Sequence, residues 1–112
     1  MRGICLDSRA IKEGLFQQVI QYKIDENGEV IITLPMTGYR PEIKRIRNLS
    51  APPKHIYGKQ VSPRNHPNTI GVICSIRWHF KRNRYFYLIR VNGKVVSKRY
   101  FDDDLKEYLE KR

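Results

Sequence analysis

The fold of this chain is decided by the stretch Ile70-Gly71-Val72-Ile73-Cys74-Ser75-Ile76-Arg77-Trp78-His79-Phe80. Its side chains alternate between two sets with a period of two, which an extended strand produces and a helix does not. The pattern predicts one long strand whose core-facing side chains are Ile70, Val72, Cys74, Ile76, Trp78 and Phe80. Lys81-Arg82-Asn83-Arg84 follows as a polar turn, and the aromatic and β-branched run Tyr85 to Val91 predicts the returning strand.

A second turn signal follows this hairpin. Asn92-Gly93 is a preferred two-residue hairpin turn because both residue types tolerate positive φ, and it predicts a further strand from Lys94 to Phe101. Asp102 then begins a predicted C-terminal helix. Its acidic residues suit the positive end of a helix, and its apolar stripe consists of Leu105, Tyr108 and Leu109.

The N-terminal part also predicts a hairpin. Asn27-Gly28 separates two β-rich runs, Phe16 to Ile24 and Glu29 to Leu34. A short helical turn over Ser8 to Gly14 and a third strand over Glu42 to Arg47 complete this region. The predicted fold is therefore mainly β, α+β at most: an N-terminal β-hairpin followed by a small, strongly bent antiparallel barrel with a short C-terminal helix.

Two domain divisions fit these patterns. The proline-containing segment 48–54 has the composition of a linker, which separates an N-terminal region, 1–47, from a barrel with its helix, 55–112. The alternative is one single domain, 1–112.

Residues 55–105 have a recognisable strand rhythm. A Gly-x-x-Val strand (Gly58 to Val61), a Gly-hydrophobic-hydrophobic strand from Gly71 and a final acidic-Leu turn ending at Leu105 resemble the Tudor-like and KOW-like members of the Src-homology-three-like barrels. The resemblance implies a small barrel of a family that binds RNA, DNA, ribosomes, methylated side chains or proline-rich peptides. The loop Ser62 to Thr69, with two prolines, departs from the compact glycine-rich loop usual in KOW-like domains.

The charge of the chain is concentrated in its middle. The 112 residues include 22 Lys or Arg and 11 Asp or Glu, a formal net charge of +11. Residues 38–100 hold fifteen of the basic residues and a single acidic one, Glu42. Clustered cations repel one another unless an anionic partner neutralises them, so the distribution predicts such a partner.

Catalytic and metal-binding motifs are missing from the sequence. It contains no phosphate-cradling glycine motif, and Cys5, Cys74 and the three histidines lack the spacing of a metal site. We therefore expect a non-catalytic protein without metal or cofactor. With no apolar run of about 20 residues and no secretory signal, we expect no membrane association and a cytoplasmic location.

Cations and aromatic rings interleave between Arg77 and Tyr87, a combination suited to phosphates and unpaired bases. This predicts binding of nucleic acid, RNA or single-stranded, through a basic and aromatic sheet surface. The predicted binding residues are Arg77, His79, Lys81, Arg82, Arg84, Arg90, Lys94, Lys98 and Arg99, and the candidate stacking residues are Tyr85, Tyr87 and Tyr100. Duplex DNA is less favoured, since the predicted helix is acidic.

The seven tyrosines support an alternative. Tyrosine suits wet contact surfaces, so a groove lined by Tyr57, Tyr85, Tyr87 and Tyr100 would make this a protein-interaction module. Its partner would be an acidic protein or a peptide.

Overall fold

The computed structural model describes residues 1–7, 14–36 and 45–109. The chain divides into two compact units, Met1–Pro52 and Pro53–Arg112. Both described parts are built from antiparallel strands, and the mainly-β prediction is confirmed. Residues 8–13 of the predicted helical turn Ser8 to Gly14, and residues 42–44 of the predicted strand Glu42 to Arg47, lie outside the described ranges.

The first unit is a four-stranded antiparallel sheet. Its strands β1 (Arg2–Cys5), β2 (Val19–Ile24), β3 (Val30–Leu34) and β4 (Ile46–Asn48) have the order β3-β2-β1-β4. The predicted hairpin is confirmed as β2 and β3, which pair from Ile24 opposite Val30. The Asp25 carboxylate fixes its turn by accepting hydrogen bonds from the backbone N–H groups of Asn27 and Glu29, each at 2.9 Å. The buried cluster of this unit consists of Cys5, Leu15, Ile20, Tyr22 and Ile32.

Strand β1 was not predicted, although it lies between β2 and β4. Gly3 permits the close approach of β1 to β4, because a Cβ atom at this position would lie 2.8 Å from the carbonyl oxygen of Arg47. A four-residue strand is too short to display a period of two, so the pattern offered no signal for it.

The second unit contains the long hairpin predicted from the central stretch. Its elements are β5 (Gln60–Pro63), β6 (Gly71–His79), β7 (Arg84–Val91), β8 (Lys94–Val95), β9 (Tyr100–Phe101), a 3-10 turn (Asp102–Asp104) and β10 (Leu105–Glu107). The ladder runs β10-β5-β6-β7-β8, and β9 also pairs with β7. Strands β6 and β7 form its centre.

The predicted barrel is not closed within residues 53–109. Strands β8 and β10 stand at opposite ends of the ladder, and no pairing joins them. The predicted strand from Lys94 to Phe101 is interrupted, with only Lys94–Val95 and Tyr100–Phe101 in the ladder. Edge strands of two or three residues offer few backbone groups for closure, so the sheet remains open.

The predicted C-terminal helix is wrong over the described residues. Asp102–Asp104 form a 3-10 turn, and Leu105–Glu107 are strand β10. The Asp104 carboxylate accepts the backbone N–H of Phe101 at 2.9 Å, which tightens the turn. Leu105 is then fully buried opposite Pro63, whereas Leu109 is 74% exposed. Burial and pairing with β5 outweigh the weak helical preference of this short segment.

A β-bulge corrects the predicted inner face of β6. The register shifts between Ile73 and Ser75, so that Cys74 is the extra residue. Before the bulge Ile73 is buried while Val72 is 37% exposed; after it Ile76 is buried, as predicted. Ile70 and Phe80, also predicted to be core residues, are exposed at either end of the strand.

Candidate functional site

The inner face of the β6–β7 hairpin holds the tyrosines that were predicted to stack on bases. Tyr85, Tyr87 and Tyr100 are all buried, Tyr87 completely. This prediction is therefore corrected, because a ring enclosed in the core has no free face for a base. The register explains the burial: Tyr87 lies opposite Ile76 on one side and Tyr100 on the other, so all three strands turn the same face inward.

Tyr87 carries a hydroxyl group that is hydrogen-bonded at the edge of this core. Its hydroxyl donates to Oδ1 of Asp102 at 2.6 Å and accepts from the backbone N–H of His55 at 3.3 Å. The rings of His55 and Tyr87 meet edge to face with centroids 5.1 Å apart. Burial, together with the hydrogen bond to Asp102, raises the pKa of Tyr87 above its usual range.

The predicted tyrosine groove loses most of its lining in the same way. Tyr57 is half-buried, and its hydroxyl lies 3.5 Å from the carbonyl oxygen of Ile76. Burial raises the pKa of this side chain as well. With Tyr85, Tyr87 and Tyr100 in the core, these side chains stabilise the fold rather than line a peptide groove.

The outer face of the hairpin gathers three aromatic rings. The register sets Arg77 opposite Phe86, His79 opposite Arg84, and Phe86 opposite Phe101. The centroid of the His79 ring lies 5.6 Å from that of Phe101 and 6.1 Å from that of Phe86. The Phe86 and Phe101 centroids are 6.5 Å apart. All three separations are ordinary for aromatic packing; His79 and Phe101 meet Phe86 edge to face, whereas the His79–Phe101 pair is tilted.

Guanidinium groups lie over these rings. The Cζ atoms of Arg82 and Arg84 are 4.9 and 4.8 Å from the centroid of Phe101. The Cζ atom of Arg99 is 5.1 Å from the centroid of Phe86. All three distances are within cation–π range. We call this set the arginine–aromatic surface; its members are Arg77, His79, Arg82, Arg84, Phe86, Arg99 and Phe101.

The tip of the hairpin is fixed by its backbone. Asn83 adopts a φ of 50°, a left-handed conformation that asparagine tolerates better than most residues. The backbone N–H of Arg82 donates to Nδ1 of His79 at 3.2 Å. Since Nδ1 accepts this bond, the neutral imidazole carries its proton on Nε2. Lys81 is exposed beside Arg82 at the same tip.

The described carboxylates of this unit are engaged elsewhere. Asp102 accepts the hydroxyl of Tyr87, Asp103 pairs with Lys54 at 3.6 Å, and Glu107 pairs with Lys59 at 2.8 Å. Within the described ranges, no ion pair joins a carboxylate to any arginine of the arginine–aromatic surface. The second unit carries fourteen basic and five acidic residues, a net charge of +9. The arginines of this face are therefore not neutralised by ion pairs within the described residues.

The remaining predicted binding residues divide between the two faces. Arg90 lies on the same face of β7 as Arg84 and Phe86, nearer the other end of the strand. Lys94 pairs with Val91, which alternates onto the inner face, and the Lys98 ammonium lies 5.2 Å from the ring of Tyr100 on that side. Lys94 and Lys98 are thus not part of the arginine–aromatic surface.

The rings of Phe86 and Phe101 are the members that the sequence analysis missed. Phe101 joins the surface only because β9 pairs with β7 after the chain has left the ladder at Val96 to Arg99. The pairing of β9 with β7 cannot be predicted from the alternation of residues in the sequence. The alternation of β7 does place Phe86 on the face of Arg84 and Arg90, which was a usable signal.

The described ranges also bear on metal binding and on insertion into a membrane. They contain no group of three or more His, Cys, Asp and Glu that could hold a metal ion. Cys5 and Cys74 are free thiols. None of the described helical segments has the length and apolar character needed to cross a membrane.

Fold and surface together define a class: a small basic protein of two antiparallel sheets, one of which displays arginines on aromatic rings. A family model matches residues 18–106, from the loop before β2 into β10, and thus most of the chain. The chain belongs to this family, which is described as a family of unknown function (DUF6960). Neither a curated protein nor a solved structure matches the chain.

Proposed function

We propose that the second unit binds RNA or another single-stranded nucleic acid, without catalysis, through the arginine–aromatic surface. The observation that carries the proposal is the placement of Arg82, Arg84 and Arg99 over aromatic rings. No carboxylate in the described part of the chain is paired with them.

This arrangement favours a ligand that carries both anionic groups and planar rings, as a nucleotide does. The clustered arginines of this surface repel one another, and a bound phosphate relieves that repulsion. A guanidinium plane held over a ring can hydrogen-bond a phosphate at its edge and stack on a base with its outer face. Arginine thus takes the stacking role first assigned to the tyrosines.

The shape of the surface favours single strands. Its members lie on a sheet and at a hairpin tip, and sheets that bind RNA commonly do so by receiving unpaired bases on such a surface. The helical part of the described unit is a three-residue acidic turn, which is unsuited to reading a major groove.

The resemblance of residues 55–105 to Tudor-like and KOW-like barrels belongs to the same proposal. Its support is the closing turn, where Asp102–Asp104 are followed by the buried Leu105. This turn brings β10 beside β5. The open ladder is a departure from a barrel.

The two free thiols, Cys5 and Cys74, are compatible with a reducing compartment, and we extend the proposal to a cytoplasmic location.

A salt titration of binding tests the proposal. We expect a labelled oligouridylate to bind with an affinity that falls as salt rises. The slope of log K against log salt should be about −0.7 for each contacted phosphate. The double variant Arg82→Ala with Arg84→Ala should bind more weakly and reduce the magnitude of that slope by roughly 1.4. Lys106→Ala, which removes an exposed charge on β10, is the control and should bind normally. Lack of binding to any RNA or DNA at low salt would refute the proposal.

A further inference from the structure

The outer face of β7 continues beyond the arginine–aromatic surface. Four side chains share this face along the strand: Arg84, Phe86, Leu88 and Arg90. Phe86 itself is buried, and the guanidinium group of Arg99 lies over its ring, so Arg99 presents this row to a ligand. Cross-strand partners extend each position into a row, with His79 beside Arg84, Arg77 beside Phe86, and Ser75 beside Leu88. Arg84 and Arg90 are six residues apart, which corresponds to about 20 Å of strand.

The row at Arg90 has a distinct composition. Val72 and Val95 flank Arg90 in register, one on each neighbouring strand. They are 37% and 53% exposed, and Arg90 is exposed between them. In the described ranges, no ion pair joins Arg90 to a carboxylate. A cation between two exposed apolar side chains can contact a phosphate together with the flat face of a base or a ribose.

The spacing of the rows constrains the conformation of a bound strand. Successive rows are about 6.6 Å apart, because same-face residues of a strand are two positions apart. The rise per nucleotide in a stacked strand is about 3.4 Å, roughly half that distance. A stacked strand therefore cannot supply successive nucleotides to successive rows, whereas an extended strand with separated bases can.

From this geometry, and resting on the proposed function, we propose that the ligand lies extended and unstacked along β7. It runs from the hairpin tip to Arg90 with one nucleotide per row, about four in all, within the range of small single-strand sites. Uridine-rich strands are then preferred to adenosine-rich ones, because unstacking costs least where bases stack weakly.

A length series of oligouridylates and oligoadenylates, from about two to eight nucleotides, tests the arrangement. We expect affinity to rise up to the tetranucleotide and then to level off, with tetrauridylate bound more tightly than tetraadenylate. Arg90→Ala should weaken binding of tetrauridylate roughly tenfold, or about 1.4 kcal/mol. It should leave diuridylate, which the tip alone can hold, unaffected. Lys106→Ala should alter neither.

Failure of the extended arrangement and failure of the proposed function give different experimental results. Binding of tetrauridylate that is insensitive to Arg90→Ala, or binding of tetraadenylate as tight as that of tetrauridylate, would overturn the extended arrangement and leave the proposed function in place. Absence of binding to every oligonucleotide would overturn both. Far-ultraviolet circular dichroism of Arg90→Ala checks that the variant is folded, as expected for truncation of an exposed side chain.

Discussion

Replacing Phe101 by leucine isolates the contribution of the ring on which two arginines lie. Leucine keeps the residue apolar but offers no π face to a cation. In the native protein the Cζ atoms of Arg82 and Arg84 lie 4.9 and 4.8 Å from this ring. The ring also packs against Phe86 at 6.5 Å. Each contact is lost in the variant, while the backbone pairing of β9 with β7 is retained.

The expected magnitude follows from these contacts. Partly exposed cation–π pairs contribute about 0.5–1 kcal/mol each, so the two together contribute about 1–2 kcal/mol. Loss of the aromatic pair adds about 0.5–1.5 kcal/mol. The free energy of unfolding should therefore fall by about 1.5–3.5 kcal/mol. Binding of an oligouridylate should weaken about five- to thirtyfold, because ligand binding must then order both guanidinium groups.

Two assays check these values. Urea unfolding followed by circular dichroism measures stability, and fluorescence anisotropy with a labelled oligouridylate measures affinity on the folded variant. Tyr100→Phe is the matched control, since it changes the neighbouring residue of β9, whose ring faces the core. Wild-type affinity in Phe101→Leu would refute the idea that Phe101 positions the arginines for binding.

Three further changes probe the core that supports the surface. Burial raises the pKa values of Tyr57 and Tyr87, so their contribution to stability is complete below the usual tyrosine pKa of about 10 and is lost as the pH rises above it. Tyrosinate absorbance should therefore rise together with unfolding, and ionisation of both rings in an intact fold would contradict this. Tyr87→Phe should cost about 1–3 kcal/mol in urea, by leaving the His55 N–H unpaired, without altering oligouridylate affinity in the folded protein; unchanged stability would count against this role. Gly71→Ala should lower the free energy of unfolding by about 1–3 kcal/mol, because its Cβ would lie 2.8 Å from Cδ1 of Ile89; the loss should shrink in an Ile89→Val background, and equal losses in both backgrounds would exclude that clash.

The sequence predicts those parts of the fold that depend on local pattern. Alternation and an adjacent turn signal identify β6, β7 and the β2–β3 hairpin. The same pattern misleads at Leu105, because Leu105, Tyr108 and Leu109 satisfy a helical stripe equally well. There the deciding factor is pairing with β5, which lies more than forty residues earlier in the chain.

The candidate site also has members that local sequence predicts and members that depend on long-range strand pairing. Arg77, His79, Lys81, Arg82 and Arg84 are neighbours in sequence and meet at one hairpin, so composition alone identifies them. Which tyrosines are buried depends on the face that each strand turns to the core. The inclusion of Arg99 and Phe101, and the exclusion of Lys98, depend on how the chain returns to β7 after leaving the ladder.

The bulge at Cys74 changes which residues of β6 face the core. Residues before Cys74 and residues after it bury opposite parities. Deleting Cys74 would restore a regular ladder, with Ile73 still opposite Ile89 and Val72 still opposite Arg90. The extra residue therefore changes the sequence parity of the inner face without changing any cross-strand partner. A single-codon deletion at this position would straighten β6 and leave the same side chains on the outer surface.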